Sequence, residues 1–197
     1  MALANLLTEV RACRHCEAEL PCGPRPVVQA SSSARILVAG QAPGRRVHAS
    51  GLPFDDASGD RLRNWLGVDR EAFYDPQKFA ILPMGFCYPG TGKSGDLPPR
   101  PECAPLWRRR LLAELPKLEL VLAIGQYAIR WHLYDQGLGS RRDNLTQTVS
   151  RWREFWPHVL PMPHPSPRNN IWLKRNPWFE AEVVPELQQR VHLLLNR

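Results

Sequence analysis

Short apolar runs that alternate with helical patterns constrain the fold of this chain more than any other feature. Four such runs are present, and each leads into a loop containing Gly, Pro or His: 34–40 (ARILVAG), 79–86 (FAILPMGF), 118–125 (LELVLAIG) and 158–165 (HVLPMPHP). Continuous apolar runs of this length are typical of strands that are buried on both faces. We therefore predict four buried strands.

Helical patterns separate these runs. Residues 57–67, 102–115 and 126–133 have helical patterns, and Val184, Leu187, Val191 and Leu194 share one face of a C-terminal helix. Strands that alternate with helices predict an α/β fold with three α/β/α layers and a central, parallel, four-stranded sheet. We expect the arginines at 108–110 to face outward from their helix.

The length and charge of the chain limit the kinds of protein to which it can belong. Its 197 residues, 43% of them apolar, predict a single domain over 1–197. The net charge of +7 favours an anionic partner such as nucleic acid, although the basic residues could equally be solvated helix faces. Residues 1–10 lack the basic start of a secretory signal, and no apolar run approaches the ~20 residues of a membrane span. We expect a cytoplasmic protein without membrane association.

The loops that follow the strands are the predicted location of the functional site. In a parallel sheet, ligands bind beyond the carboxyl ends of the strands. Three loops meet this condition and are longer than a connection needs: 40–59, 87–103 and 164–170.

A Gly-Thr-Gly-Lys-Ser string at 90–94 raises the possibility of a phosphate-binding loop. That motif needs a glycine five places before its second glycine, and this chain has Cys87 there. The motif also needs a helix directly afterwards, which Pro98, Pro99 and Pro101 forbid. We therefore expect no nucleoside triphosphate site.

Three motifs in the predicted site loops resemble a known family. They are GQAPG at 40–44, GLPF at 51–54 and HPSPRN at 164–169. Together they are similar to the signature motifs of the uracil-DNA glycosylase superfamily, and most similar to those of its iron–sulfur branch, family 4. The resemblance extends over nearly the whole chain and implies a DNA glycosylase.

The cysteines agree with this branch. Four of the five resemble its [4Fe–4S] ligand pattern: Cys13, Cys16, Cys87 and Cys103. Cys22 has no counterpart in that pattern. On chemistry alone, a close pair and a distant pair of thiolates would suit iron–sulfur or zinc, and scattered buried thiols without a metal remain an alternative.

The resemblance also implies roles in base removal. Enzymes of this superfamily flip the target nucleotide into a pocket, because its glycosidic bond is inaccessible in the duplex. His164 would donate a hydrogen bond to the departing base, and the backbone of Gln41 and Ala42 would supply further donors. Phe54 would stack on the flipped base.

DNA contacts are implied at the last motif. Pro165, Ser166 and Pro167 would touch the DNA backbone, and Arg168 stands where relatives place a wedge that fills the vacated stack. The implied partner is damaged or single-stranded DNA, bound by a monomer.

This chain departs from its relatives at three site positions. Gln41 replaces the Glu of family 4, Ala42 replaces the Asp of family 1, and Pro83 replaces an Asn that reads the base edge. Three acidic residues could supply the missing carboxylate: Asp55, Asp56 and Asp60. Two hypotheses follow. The first is a glycosylase that hydrolyses the N-glycosidic bond of uracil or another deaminated base. The second is a non-catalytic nucleic-acid-binding or lesion-sensing protein with the same fold.

Overall fold

The computed structural model describes residues 2–93 and 95–197 and has a four-stranded parallel sheet at its centre. The strands of this sheet are β1 (Ile36–Ala39), β2 (Phe79–Ile81), β5 (Leu120–Ile124) and β6 (Val159–Met162). Their order across the sheet is β2-β1-β5-β6, and every adjacent pair is parallel. The prediction of four parallel strands is confirmed.

Nine α-helices are assigned among the described residues. They are α1 (Ala2–Arg11), α2 (Arg45–Ser50), α3 (Ala57–Leu66), α4 (Arg70–Tyr74), α5 (Cys103–Ala113), α6 (Gly125–His132), α7 (Leu145–Ser150), α8 (Asn170–Arg175) and α9 (Val184–Leu195). None of the helices in this part of the chain is long and apolar enough to cross a membrane.

Helices cover both faces of the sheet, because successive side chains of a strand point to opposite sides. Ile36 and Val38 belong to an apolar cluster formed with α3 and α9. Leu37 and Ala39 belong to a second cluster, formed with α1, α5 and α6. The three-layer α/β/α architecture is therefore confirmed.

The second strand is shorter than its apolar run predicts. β2 ends at Ile81, although the run continues to residue 86. Pro83 has no N–H to extend the ladder, yet Met84 and Gly85 still donate to the carbonyl oxygens of Gly40 and Gln41, at 2.8 and 2.9 Å. The chain thus continues as an irregular segment beside the loop that follows β1.

The stretch that contains the Gly-Thr-Gly-Lys-Ser string forms a small hairpin. Its strands are β3 (Thr91–Gly92) and β4 (Gly95–Asp96), which pair antiparallel. Ser94, the last residue of the string, lies outside the described residues. The helix that a phosphate-binding loop would open is absent from the described residues that follow, and α5 begins only at Cys103.

The expectation that all three arginines of α5 face outward is wrong for Arg108. This side chain is fully buried, whereas Arg109 and Arg110 are exposed. The guanidinium of Arg108 donates to the carbonyl oxygens of Leu82 and Pro83, both at 2.9 Å. A buried cation is tolerated here because acceptors surround it.

Candidate active site

A cavity of about 370 Å³ lies at the carboxyl ends of the sheet strands, where the predicted site loops meet. It is lined by residues from all three loops. The predicted site residues that it brings together are Gln41, Ala42, Phe54, His164, Ser166 and Arg168. Pro165 and Pro167 flank it in sequence, with Pro165 buried and Pro167 exposed.

His164 presents a hydrogen-bond donor to this cavity. Its Nδ1 atom accepts a hydrogen bond from the backbone N–H of Ser166 at 3.2 Å. An acceptor nitrogen carries no proton, so the proton of the neutral ring is on Nε2. Burial lowers the pKa of His164, against a smaller opposing effect of Asp56 and Asp96. The ring is therefore a neutral N–H donor at neutral pH.

Side-chain hydrogen bonds hold the loop that carries His164. Asn169 Nδ2 donates to the His164 carbonyl oxygen at 2.7 Å. From α3, Arg61 donates to the Ser166 carbonyl oxygen at 3.2 Å and to Asn170 Oδ1 at 2.7 Å. These contacts fix the histidine before any ligand binds, which is the preorganisation that electrostatic catalysis requires.

Phe54 is held at the cavity wall in a backbone conformation that side chains rarely adopt. Its φ is 54°, the left-handed region, which is strained for a phenylalanine. Gly59 in α3 lies so close that a Cβ atom there would be 1.7 Å from the Phe54 carbonyl oxygen. The ring packs over Gly40, where a Cβ atom would be 3.1 Å from it. Two glycines thus allow the placement of this aromatic ring.

The side chain of Gln41 points to the hairpin. Its Nε2 atom donates to the Leu97 carbonyl oxygen at 3.2 Å. The backbone carbonyl of Gln41 accepts from the Gly85 N–H at 2.9 Å. The glutamine therefore joins the loops after β1 and β2.

The three acidic residues suggested by the sequence are placed differently. Asp55 pairs with Arg70 at 2.8 Å and Asp60 with Arg63 at 2.5 Å, and neither lines the cavity. Asp56 does line it. Asp56 Oδ1 accepts from the Gly59 N–H at 2.9 Å and caps α3, so the carboxylate is held in a fixed orientation.

Asp96 is a second carboxylate at the cavity, and it is not among the residues predicted from the sequence. It lies at the end of the hairpin, and its Oδ2 atom approaches Gly44 of the first motif. The sequence pattern offers no signal for this position, because two-residue strands have no apolar alternation to reveal them.

Arg168 lines the cavity and contacts the hairpin. A Cβ atom on Gly95 would be 1.9 Å from Arg168 Nη1, so the guanidinium packs directly on that glycine. Three residues later, Ile171 is 65% exposed at the start of α8. The wedge role of Arg168 stays a prediction, and Ile171 is a second candidate for it.

Four cysteines line a separate cavity between the N-terminal segment and α5. They are Cys13, Cys16, Cys87 and Cys103, the set suggested by the sequence. Burial raises the pKa of Cys87 to about 11 and that of Cys103 to about 12. The Phe86 N–H donates to Cys103 Sγ at 3.4 Å. Cys22 is exposed and is not part of this cavity.

The chemistry of these four side chains suits a group with sulfur ligands, since iron–sulfur clusters are held by cysteine thiolates. In the ranges that the structure describes, no group of three or more His, Cys, Asp or Glu side chains is placed so that it could hold a metal ion.

A comparison with protein families agrees with the geometry of the first cavity. The family model described as "Uracil DNA glycosylase superfamily" matches residues 28–188. The match includes β1, β6 and the loops that carry Gln41, Phe54 and His164. The chain therefore belongs to the uracil DNA glycosylase superfamily.

Proposed function

We propose that this protein is a DNA glycosylase that hydrolyses the N-glycosidic bond of uracil or another deaminated base. Membership of the superfamily supports a glycosylase acting on DNA. The observation that carries the proposal is His164, a neutral donor fixed at a cavity large enough for a flipped base.

The departing base accumulates negative charge as its bond to the sugar breaks. The Nε2–H group of His164 can donate to that charge, and the ring needs no reorientation because the Ser166 N–H already holds Nδ1. One such donor contributes roughly 100-fold to 1,000-fold in rate in comparable oxyanion sites.

Asp56 is the proposed partner of the attacking water. One of its oxygens is occupied by the Gly59 N–H, which fixes the direction of the other. A fixed carboxylate can accept a proton from water as it attacks the sugar. Asp56 would thereby replace the carboxylate that the first motif lacks at Gln41 and Ala42.

DNA would approach over the last motif. Pro165, Ser166 and Pro167 would contact its backbone, and the net charge of +7 favours binding of a polyanion. Arg168 would lie at the edge of the cavity that receives the base.

The second hypothesis, a non-catalytic binding protein of the same fold, has one observation in its favour. The residue at the family-4 acid position is Gln41, whose side chain is an amide in place of a carboxylate. Its Nε2 atom already donates to the Leu97 carbonyl oxygen. Such a protein would bind lesion-containing DNA without releasing a base.

The deciding experiment measures base release from oligonucleotides that each carry one deaminated base, together with binding to the same oligonucleotides. We expect His164→Ala to lower the release rate at least ~100-fold with binding retained. His158→Ala, at an exposed histidine outside the cavity, is the control.

Asp56→Asn tests the proposed water partner. Asparagine is also a good helix cap, so the fold should persist while base release falls. Asp55→Asn, which changes the neighbouring carboxylate outside the cavity, should retain activity. Binding by the wild type without release of any deaminated base would instead support the non-catalytic hypothesis.

We also propose that the four-cysteine cavity holds a [4Fe–4S] cluster, whose four irons need thiolates that are spread more widely than the ligands of a single metal ion. Its support is the gathering of Cys13, Cys16, Cys87 and Cys103 from distant parts of the chain around one cavity. When bound, the cluster would join the N-terminal segment to the loop after β2 and so stabilise the wall of the active site.

A further inference from the structure

At one position of the cavity wall, a proline replaces the polar side chain that relatives use to read the base. Pro83 lines the cavity at the position where relatives place an asparagine, and a proline side chain offers neither a donor nor an acceptor. Asp96 reaches the same cavity from the hairpin. Asp96 thus brings a carboxylate to a cavity in which Pro83 cannot form a hydrogen bond to the base through its side chain.

One hydrogen bond orients the carboxylate of Asp96. Its Oδ1 atom accepts from the Thr91 hydroxyl at 3.2 Å, which leaves Oδ2 beside Gly44 of the first motif. Among the residues with described positions, no Lys, Arg or His nitrogen lies within 4.0 Å of this carboxylate. The carboxylate is therefore available to accept a hydrogen bond from a ligand.

The hairpin that carries Asp96 is fastened to the cavity on two sides. Gln41 Nε2 donates to the Leu97 carbonyl oxygen at 3.2 Å, and the Leu97 N–H donates to the Gly90 carbonyl oxygen at 2.8 Å. On the other side, the Arg168 guanidinium packs on Gly95. Contacts on two sides of the hairpin thus fix the position of the Asp96 carboxylate.

We propose that Asp96 reads the edge of the flipped base and selects hypoxanthine, a 6-oxopurine without a carbonyl at C2, over uracil. This inference rests on the proposed glycosylase function and names the substrate class of the same cavity.

The selectivity follows from the acceptor-only character of a carboxylate. Three bases arise by deamination of adenine, cytosine and guanine: hypoxanthine, uracil and xanthine. In DNA, the N3–H of uracil and the N1–H of xanthine each lie between two carbonyl oxygens, so a carboxylate that accepts this proton also faces a carbonyl. In hypoxanthine the same N–H has a carbonyl on one side and a C–H on the other. The carboxylate then accepts the N–H without facing a second acceptor.

Guanine is a 6-oxopurine as well and offers two N–H donors to the same carboxylate. Its pairing with cytosine opposes flipping, whereas hypoxanthine opposite thymine is mismatched and easier to extrude. We therefore expect free guanine to bind the cavity, while paired guanine remains in the duplex.

The test compares base release from duplexes that carry hypoxanthine opposite thymine or uracil opposite guanine, both of which are mismatches. We expect the wild type to prefer hypoxanthine at least ~10-fold, as expected when a carbonyl of the bound base faces the Asp96 carboxylate and both acceptors are left unpaired. Asp96→Asn should lower this preference at least ~10-fold, because an amide supplies the acceptor and the donor that match the N–H and carbonyl of uracil. Asp55→Asn, outside the cavity, should leave the preference unchanged.

A second measurement separates this proposal from the glycosylase proposal. Binding of 9-methylhypoxanthine, 9-methylguanine and 1-methyluracil, in which a methyl group replaces the sugar and leaves only the N–H groups present in DNA, is measured by NMR titration, which does not require hydrolysis. We expect both purines to bind more tightly than uracil and Asp96→Asn to reduce the difference. If no base is released but this order holds, the glycosylase proposal fails and the assignment of Asp96 stands. Equal binding of uracil and hypoxanthine, or a wild-type preference that Asp96→Asn leaves intact, would overturn the assignment.

Discussion

The Nη1 group of Arg108 donates a hydrogen bond to the carbonyl oxygen of Pro83 at 2.9 Å, and this contact joins α5 to the wall of the active-site cavity. The same helix begins at Cys103, one of the residues that line the four-cysteine cavity. Arg108 Nε also donates to His132 Nε2 at 3.1 Å. A fully buried guanidinium therefore contacts the wall of the active-site cavity from the helix that begins at the four-cysteine cavity, with carbonyl and imidazole acceptors in place of a carboxylate.

Arg108→Met should destabilise the protein substantially. The change leaves the carbonyl oxygens of Leu82 and Pro83 buried without donors, and we expect a loss of about 2–4 kcal/mol in the free energy of unfolding. Urea denaturation measures this loss. Arg109→Met, at an exposed neighbour, should change the stability by less than about 0.5 kcal/mol. Equal stability of the two variants would show that these carbonyl contacts contribute little.

The stability of the protein should fall in mild acid. Burial, together with the charge of Arg108, holds the pKa of His132 well below its usual range, and burial also lowers the pKa of His164. As the pH falls below about 6.5, the unfolded chain gains a proton on each histidine at a higher pH than the folded protein does. The stability that these neutral histidines contribute is therefore present above that pH and is lost as the pH falls below it. We expect a loss of up to about 1.4 kcal/mol per histidine between pH 7.5 and 5.5.

Urea denaturation at the two pH values provides the measurement. His132→Gln keeps an acceptor for Arg108 Nε and should remove the share of the pH dependence that belongs to this histidine. An unchanged pH dependence in His132→Gln would contradict the assignment.

Gly59→Ala should be harmful although it lies inside a helix. Alanine favours a helix by about 1 kcal/mol relative to glycine, but the new Cβ atom would overlap the Phe54 carbonyl oxygen at 1.7 Å. Because backbone cannot move aside as a flexible side chain can, we expect a net loss of stability and displacement of the Phe54 ring. The midpoint temperature of thermal denaturation and the rate of base release should both decrease. Asn64→Ala, at an exposed residue of the same helix outside the cavity, is the control, and a stabilised Gly59→Ala protein would be inconsistent with this packing.

Ile171→Ala tests which side chain fills the vacated stack. Apolar side chains such as isoleucine insert between base steps, and Ile171 is exposed beside the last motif. We expect the variant to bind lesion-containing duplex roughly 10-fold more weakly, with little change for single strands, in which no stack must be filled. Leu138→Ala, at an exposed leucine elsewhere on the surface, is the control. If Arg168→Ala shows this duplex-specific loss and Ile171→Ala does not, Arg168 is the wedge.

Anaerobic purification tests the cluster. We expect a brown protein with about four iron and four sulfide per chain. Cys87→Ser should lose iron and unfold more readily, because cluster binding and folding are coupled. Cys22→Ser, outside the cavity, should retain both iron and stability. A colourless, iron-free protein of full stability would contradict the proposal.

The sheet and much of the site could be predicted from the chain. The run 34–40 contains β1, and the run 118–125 contains β5, because a strand covered on both faces must be apolar throughout. The motifs around Gln41, Phe54 and His164 line one cavity because parallel strands end at the same edge of the sheet. The tautomer of His164 could not be predicted, since it depends on a backbone N–H that only the folded loop directs at Nδ1.

The apolar pattern of the chain was enough to predict the four sheet strands and the helices α3, α5, α6 and α9, because burial acts on each segment through its own residues. The other helices and the hairpin were not predicted. The positions of Asp96 and Arg108 could not be predicted from such local patterns. Asp96 enters the cavity through a hairpin fastened by Gln41, more than fifty residues earlier in the chain. Arg108 is buried because the end of β2 supplies carbonyl acceptors that α5 itself lacks. The energy of a charged side chain depends on the groups that surround it in space, and those groups come together only in the folded protein.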